Sequence, residues 1–335
     1  MNRVLIVTIS ADIHADMVES KMATRGARPF RVNLDEFPRD FSVDLRISRN
    51  GLTCALTHLP SGDRISLEEI RAVWSRKPSR FCFVDNDLGA QEEAFAQSET
   101  EHSFFSLLYA LDCFWMSHPL ATRSALWKGE QLNRAAGMGF LVPRSIITNC
   151  PDAVRSFVGE VNDDVIFKAM SSASLCAEEV SDADRRFDGL PTTVMTSAHL
   201  EALDAVRQSP CLFQEHIAKK HELRVTVIGH QAFAARICSQ SDSRTRVDFR
   251  NFAVEIPYMY ERLAPDVEAR CIGFVRSYGL EFGALDLIVT PDDDIVFLEN
   301  NPAGQFLFVE QLVPELRMLD AVTDLLMSKA EADGR

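Results

Sequence analysis

Residues 280–310 read LEFGALDLIVTPDDDIVFLENNPAGQFLFVE. Two apolar runs of strand length flank the acidic turn TPDDD, a pattern that predicts a β-hairpin. Side chains two apart on a strand share a face, so Glu299 and Asn301 are expected to point together, with Val296, Leu298 and Asn300 pointing the other way. Asp286, on the first strand, can meet them. Two carboxylates and an amide oxygen converging at a strand end suit Mg2+, which takes one or two carboxylates and fills its octahedron with water and nucleotide phosphates. Asp292, Asp293 and Asp294 fall in the turn and read as solvated. Taken alone, the pattern suits a decorative hairpin with a polar outer face equally well.

The chain has 335 residues, enough for two or three compact units with filled cores. Its 46% hydrophobic and 25% charged content is that of an ordinary globular protein. It has no apolar run of transmembrane length, and Arg3 followed by VLIVT is too short and strand-like for a signal peptide, so a cytoplasmic protein with no membrane partner is expected. The eight cysteines are scattered singly, without zinc spacing or disulfide density. A formal charge of -14 disfavours nucleic acid and anionic membranes, whose phosphates would be repelled.

Residues 3–9 (RVLIVTI), a helix-compatible stretch over 12–25 ending at Gly26, and PFRVNL form a βαβ opening, the start of an open parallel sheet. The first turn, TISADIHAD, contains no glycine, which excludes the dinucleotide fingerprint. VDLRISRN and GLTCALTHL, meeting at Asn50-Gly51, predict a hairpin. AVWSRKPSR predicts a strand stopped at Pro78, and 90–111 a helix. This first α/β unit is expected to span 1–118. A smaller unit over 119–210 would hold the short helix of ALWKGEQLNRAAGMGFLVP, the strands SIIT and VIFKAM, and a polar hairpin or lid over 171–193. The α+β unit 211–335 would hold the strands of CLFQEHI, HELRVTVIG and QAFAARICSQ, a helix at about 264–278, the opening hairpin and a closing helix over 315–328.

In HELRVTVIG, alternation presents Glu222 and Arg224 on one face. Glu222 suits ribose hydroxyls, and Arg224 suits a phosphate or carboxylate through its planar donor fork, although a solvated edge strand would show the same pair. Lys168 lies inside an apolar strand, where an ammonium needs an anion. Lys128, before the short helix, is a weaker second phosphate ligand. The backbone of Gln214, Glu215, His216 and Ile217 falls at a unit junction, where main-chain groups can read adenine. Arg76, Arg224, Arg236 and Arg250 sit in or beside strands, and together suit a phosphate chain plus a substrate carboxylate. The histidines form no metal pattern, and no nucleophile elbow appears.

A lysine before a short helix, a lysine in a strand, an acidic and hydrophobic junction, ExR in a strand, then Asp, Glu and Asn in that order resembles the ATP-grasp fold. VWSRKP, the TN after VPRSII, FQEHIAKKHELRVTVIG, VDFR at 247–250 and FLENNPAGQF resemble, over almost the whole chain, the ATP-grasp peptide maturases of graspetide (microviridin-type) biosynthesis. Here Ser75, Lys77 and Phe249 depart from the family's WYRRP and DWR patterns, and no glycine follows Lys168 until Gly189.

The resemblance implies an α/β and α+β architecture: an N-terminal βαβ (pre-ATP-grasp) domain, a small central domain and a C-terminal catalytic domain. It also implies ATP with Mg2+ on Asp286, Glu299 and Asn301. The reaction would be phosphorylation of a Glu or Asp side chain of a ribosomal precursor peptide, followed by attack of a Ser or Thr hydroxyl or a Lys amine. Lys128, Lys168 and Arg224 would neutralise phosphate charge; Arg76, Arg236 and Arg250 would hold the acceptor carboxylate. Glu178, Glu179 and Asp248 would meet the peptide, and the enzyme would be a homodimer. Two alternatives stay open at this point: an ATP-grasp ligase acting on a free amino acid or small peptide, and a protein that holds nucleotide and peptide without turnover.

Overall fold

The computed structural model describes residues 3–85, 87–162, 164–171, 190–250 and 254–332. The chain opens with β1 (Arg3–Thr8), all six side chains buried, and α1 (Ile13–Thr24), whose N-cap Asp12 accepts from the His14 N–H at 3.2 Å. β2 (Phe30–Asn33) follows, then an antiparallel three-stranded ribbon of β3 (Phe41–Ser48), β4 (Gly51–His58) and β5 (Arg64–Ser66). β6 (Ile70–Ser75), α2 (Ala90–Tyr109), β7 (Phe114–Trp115) and α3 (Pro119–Ser124) complete the unit. Its sheet is parallel, in the order β2-β1-β6-β7. Both faces are covered, as parallel sheets require: Leu5 and Val7 pack with the ribbon and α2, while Val4 and Ile6 pack on α1 and the end of the chain.

After α4 (Lys128–Gly137) the chain builds a small antiparallel sheet from β8 (Ser145–Thr148), α5 (Pro151–Glu160), β9 (Val165–Lys168), β10 (Thr193–Val194), α6 (Ser197–Glu201) and β11 (Cys211–Glu215). Its strand order is β10-β9-β11-β8, and Val154, Phe157, Val165 and Phe213 fill its core. The α5 helix has no counterpart among the sequence expectations. β11, grouped by sequence with the C-terminal unit, is hydrogen-bonded into this central sheet. Conversely, Leu132 and Ala135 of α4 pack on the C-terminal sheet, because their apolar stripe meets Leu285 and Phe297 there.

The C-terminal sheet runs β14-β13-β12-β15-β16 and is antiparallel throughout. Its strands are β12 (His221–Ile228), β13 (Gln231–Ile237), β14 (Tyr258–Glu261), then, after α7 (Pro265–Arg276), β15 (Phe282–Val289) and β16 (Ile295–Asn301); α8 (Leu307–Leu312) and α9 (Met318–Ala332) close the chain. β12 lies at the centre with every residue buried, so it is not an edge strand. One face carries Leu223, Val225, Leu285, Leu287 and Phe297 against α4 and α7. The other face divides along its length. At one end Ile228, Ala235 and Phe282 share a core with α8, α9 and the N-terminal sheet; at the other stand Glu222, Arg224, Asp286 and Glu299. Among the described residues no helix is long and apolar enough to cross a membrane.

Candidate active site

The opening hairpin forms as expected, with one difference in register. Asp286 pairs with Glu299 and Ala284 with Asn301, but Leu287 pairs with Phe297, so a bulge absorbs Leu298. The bulge turns Val296 to the Asp286 face, opposite Ile288, and sends Phe297 into the core. Strict alternation placed Val296 and Leu298 away from Glu299; both assignments are corrected, since Leu298 lines the same cleft as Glu299 and Asp286.

That cleft, of about 570 Å3, lies between the central and C-terminal sheets. Lys168, Gln214, Glu215, His216, Ile217, Glu222, Asp248 and Arg250 line it with the two carboxylates. Ile166, Ile217, Ile288 and Leu298 supply an apolar end. The 214–217 segment is braced by its own side chains: Gln214 donates to Ser145 Oγ at 2.9 Å, Glu215 pairs with Arg144 at 3.1 Å, and His216 contacts Asp164 at 2.9 Å.

The polar end is a lattice of buried charge. Arg224 Nη1 lies 2.7 Å from Asp286 Oδ1, and Asn301 Nδ2 lies 3.4 Å from Asp286 Oδ2. Lys128 Nζ lies 3.0 Å from Glu299 Oε2 and donates to the Ala169 carbonyl at 2.8 Å. Burial would raise the Glu299 carboxyl, but Lys168 and Lys128 outweigh it and bring its pKa to about 2. Burial, reinforced by the facing Glu299, pushes Asp286 above the usual carboxylate range despite Arg224. Burial also holds Lys168 below the usual lysine range, although Glu299 opposes this. Two buried carboxylates that repel across a strand pair, with an amide beside them, form a donor set that a divalent cation relieves. Among the described residues no group of three or more His, Cys, Asp or Glu is placed to hold a metal ion.

Two devices place these groups. Gln131 of α4 donates to the carbonyls of Ala125 (2.6 Å) and Asn300 (2.9 Å) and accepts from the Asn300 N–H at 2.8 Å, which locks the helix carrying Lys128 onto the strand carrying Glu299. In the VDFR segment, Asp248 and Arg250 pair at 2.7 Å; burial would raise the Asp248 carboxyl, but Arg250 holds it well below its ordinary value. Asp248 also accepts from the Thr192 N–H at 3.4 Å.

Not every expected residue arrives. Arg76 is buried against Asp12 (2.8 Å) in the N-terminal unit and lines a second cleft of about 1550 Å3 with Lys77, Arg123, Phe105 and Tyr109. Leu126 borders both this cleft and the space beside Lys128 and Asn301. Arg236 stands opposite Leu223 in β13, on the sheet face away from Arg224, and pairs with Glu261 at 2.8 Å; alternation, which separates 236 from 235, removes it from the site. Glu178 and Glu179 lie outside the described residues. Sequence reasoning passed over Lys219, which is buried beside Glu222 at 2.6 Å. Its only signal was its place three residues before Glu222, in a run, AKKHE, that reads as surface.

A family model described as the MvdD pre-ATP grasp domain matches residues 3–123. A comparison with curated proteins gave no match. Among solved structures, the RiPP-associated ATP-grasp ligase of Chryseobacterium gregarium, in complex with ADP and a leader and core peptide, is 30% identical with a TM-score of 0.88, over 98% of this chain and 97% of that one. The macrocyclase MdnC of Microcystis aeruginosa MRC, bound with precursor peptide MdnA, is 27% identical with a TM-score of 0.83, over 97% and 99% of the two chains. The macrocyclase MdnB of the same organism is 26% identical with a TM-score of 0.78, over 97% and 99%. With this likeness running the length of the chain, the chain belongs to the RiPP-associated ATP-grasp ligases and is an ATP-dependent ligase.

Proposed function

We propose that this ligase activates a Glu or Asp side chain of a ribosomal precursor peptide as an acyl phosphate. A Ser or Thr hydroxyl, or a Lys amine, of the same peptide then displaces the phosphate and closes a ring. The observation that carries the reading is the convergence of Asp286, Glu299 and Asn301 with Lys128, Arg224 and Arg250 at the polar end of a cleft whose other end is apolar. The apolar end suits adenine, and Glu222 suits the sugar. Asp286, Glu299 and Asn301 would hold Mg2+, which supplies charge neutralisation on the phosphates being transferred. Lys128, Lys168 and Arg224 add fixed positive charge from the protein side, where burial makes it more effective than in water. The rest is positioning.

Arg250 is the candidate for the peptide carboxylate within the cleft. Arg76 serves the same role from the second cleft, whose lining of Phe105, Tyr109 and Leu120 with Arg76, Lys77 and Arg123 suits a peptide segment carrying an acid beside apolar side chains. Asp248, tied to Thr192, is the candidate for a further peptide contact; Glu178 and Glu179 belong to the proposed leader dock, which E178Q/E179Q with unchanged leader affinity would remove. A homodimer belongs to the same reading and rests on the family resemblance; light scattering should give twice the 37.5 kDa protomer.

The test is ADP release on incubation with ATP, Mg2+ and a short precursor peptide rich in Ser/Thr and Glu/Asp, with mass spectrometry showing loss of one water per link. Glu299→Gln should lower turnover about a hundredfold or more. ADP release with free amino acids and none with the peptide would transfer the chain to amino-acid ligation. Nucleotide binding without any ADP release would make it a binding protein.

A further inference from the structure

Lys219 is an unusual lysine. Its side chain is only 5% exposed, its Nζ lies 2.6 Å from Glu222 Oε1, and it donates to the Val247 carbonyl at 2.9 Å. Glu222 is buried as well, at 7% exposure of its side chain, and its Oε2 has no hydrogen-bond partner. Both residues line the nucleotide cleft. A buried carboxylate oxygen left without a donor is costly, so a site that retains one is built for a donor that arrives with a ligand.

We propose that Lys219 is the positioning residue that presents Glu222 to the sugar hydroxyls of the nucleotide, an inference that rests on the ligase reading above. By holding Oε1, Lys219 fixes the carboxylate plane and leaves the unpartnered Oε2 as the atom that a ribose diol meets. Without it the buried carboxyl would favour its neutral form, since burial already pushes it up and Lys219 is the strongest opposing influence. The other groups near Glu222 do not replace this cation: the Ser239 hydroxyl is neutral, the Tyr258 phenol is pushed up to about 12, and Asp286 repels it. Arg224, two residues along the same face, is engaged with Asp286. The second donation, to Val247, fastens the first residue of the VDFR segment to the same lysine. One side chain therefore ties the sugar contact to the segment that carries Asp248 and Arg250.

The test compares the affinities of ATP and 2′,3′-dideoxy-ATP, with Mg2+, for the full-length wild type and its variants. The wild type is expected to prefer the ribose form about tenfold, the worth of a hydrogen bond to a charged acceptor. Lys219→Met should bring the two affinities close together, and Lys219→Arg should restore the preference. Because Lys219→Met strands a buried carboxylate, a second variant, K219M/E222Q, removes both charges and keeps the fold in reach. It should show the same flattened ratio. A ribose preference that survives in either Met variant overturns the inference. A wild type that binds ATP without sugar preference also overturns it while leaving the ligase reading intact, whereas a wild type that binds no adenine nucleotide removes both.

Discussion

A Cβ added to Gly304 would lie 2.7 Å from the Ala284 Cβ and 3.2 Å from Arg224 Nη2. The first contact involves a methyl fixed to a buried strand, so the clash cannot be relieved by a rotamer change, and the guanidinium that neutralises Asp286 must move with it. Gly304→Ala should therefore cost about 1–3 kcal/mol of stability and lower ADP formation more than tenfold, read by urea denaturation and by a coupled ADP assay. Full activity in a stably folded G304A enzyme would show that Arg224 is not held by this approach. At this scale the site was legible where local alternation sufficed: Glu299 and Asn301, or Glu222 and Arg224, share faces because nothing interrupts the pleat between them. It was illegible where a bulge intervened, as at Leu298, because an extra residue leaves the hydrophobic pattern almost unchanged while reversing a face. Lys219 was illegible for a different reason: a lysine's burial is decided by the carboxylate it meets.

Among the elements, His14 joins the first helix to the last part of the chain. Its Nε2 accepts from the Phe306 and Leu307 N–H groups at 3.1 and 3.3 Å, at the start of α8, and its ring stands edge-on to Phe306 at 4.8 Å. An imidazole that accepts two backbone donors must be neutral at that nitrogen, and burial, opposed by Asp12 and helped by Arg76 and Lys77, lowers its pKa from 6.5. The sign follows: below 6.5 the unfolded chain takes up a proton that the folded chain refuses, so stability present above that pH is lost as pH falls through it, with a slope approaching 1.4 kcal/mol per unit, roughly, for one group. His118 and His221 are lowered in the same direction. The measurement is therefore a difference: between about pH 7.5 and about pH 5.5, the urea midpoint of the wild type should fall further than that of His14→Gln. Equal falls would exclude His14 as a contributor. No sequence pattern announces this bond, since residues 14 and 306 are remote in the chain. The hairpins and the longer helices, by contrast, were legible because their periodicity is local. The unexpected α5, of ten residues, begins at Pro151 after a short strand and carries only Pro151, Val154, Phe157 and Val158 inward, too brief a stripe to stand out.

At the scale of the molecule, the first and last of the three units predicted from sequence prove to share one core, while the central unit keeps its own. Val4, Ile6, Val18, Met22, Trp74 and Met116 from the N-terminal part pack in a single cluster with Ile228, Phe282, Phe306, Val322 and Leu326 from the C-terminal part. Lys21 of α1 and Arg25, at its C-cap, pair with Asp320 and Asp324 of α9 around its edge. Composition and patterning show that each strand of a parallel sheet is apolar on both sides, and they do not show which distant helix covers the second side. The consequence can be tested by separating the parts. A fragment ending at Ser124, after α3, retains the ribbon-side core of Leu5, Val7, Phe30 and Phe104 but uncovers the opposite face. Exposing about six large apolar side chains, at roughly 1.5–3 kcal/mol each, forfeits on the order of 10 kcal/mol, comparable with the whole stability of a small domain. The fragment should therefore bind a hydrophobic dye and lack a cooperative thermal transition, while the full-length chain shows one transition for both ends. A fragment that melts cooperatively with a dispersed amide spectrum would show that the N-terminal unit is self-sufficient, and that its contact with α9 is an interface between domains instead of a shared core.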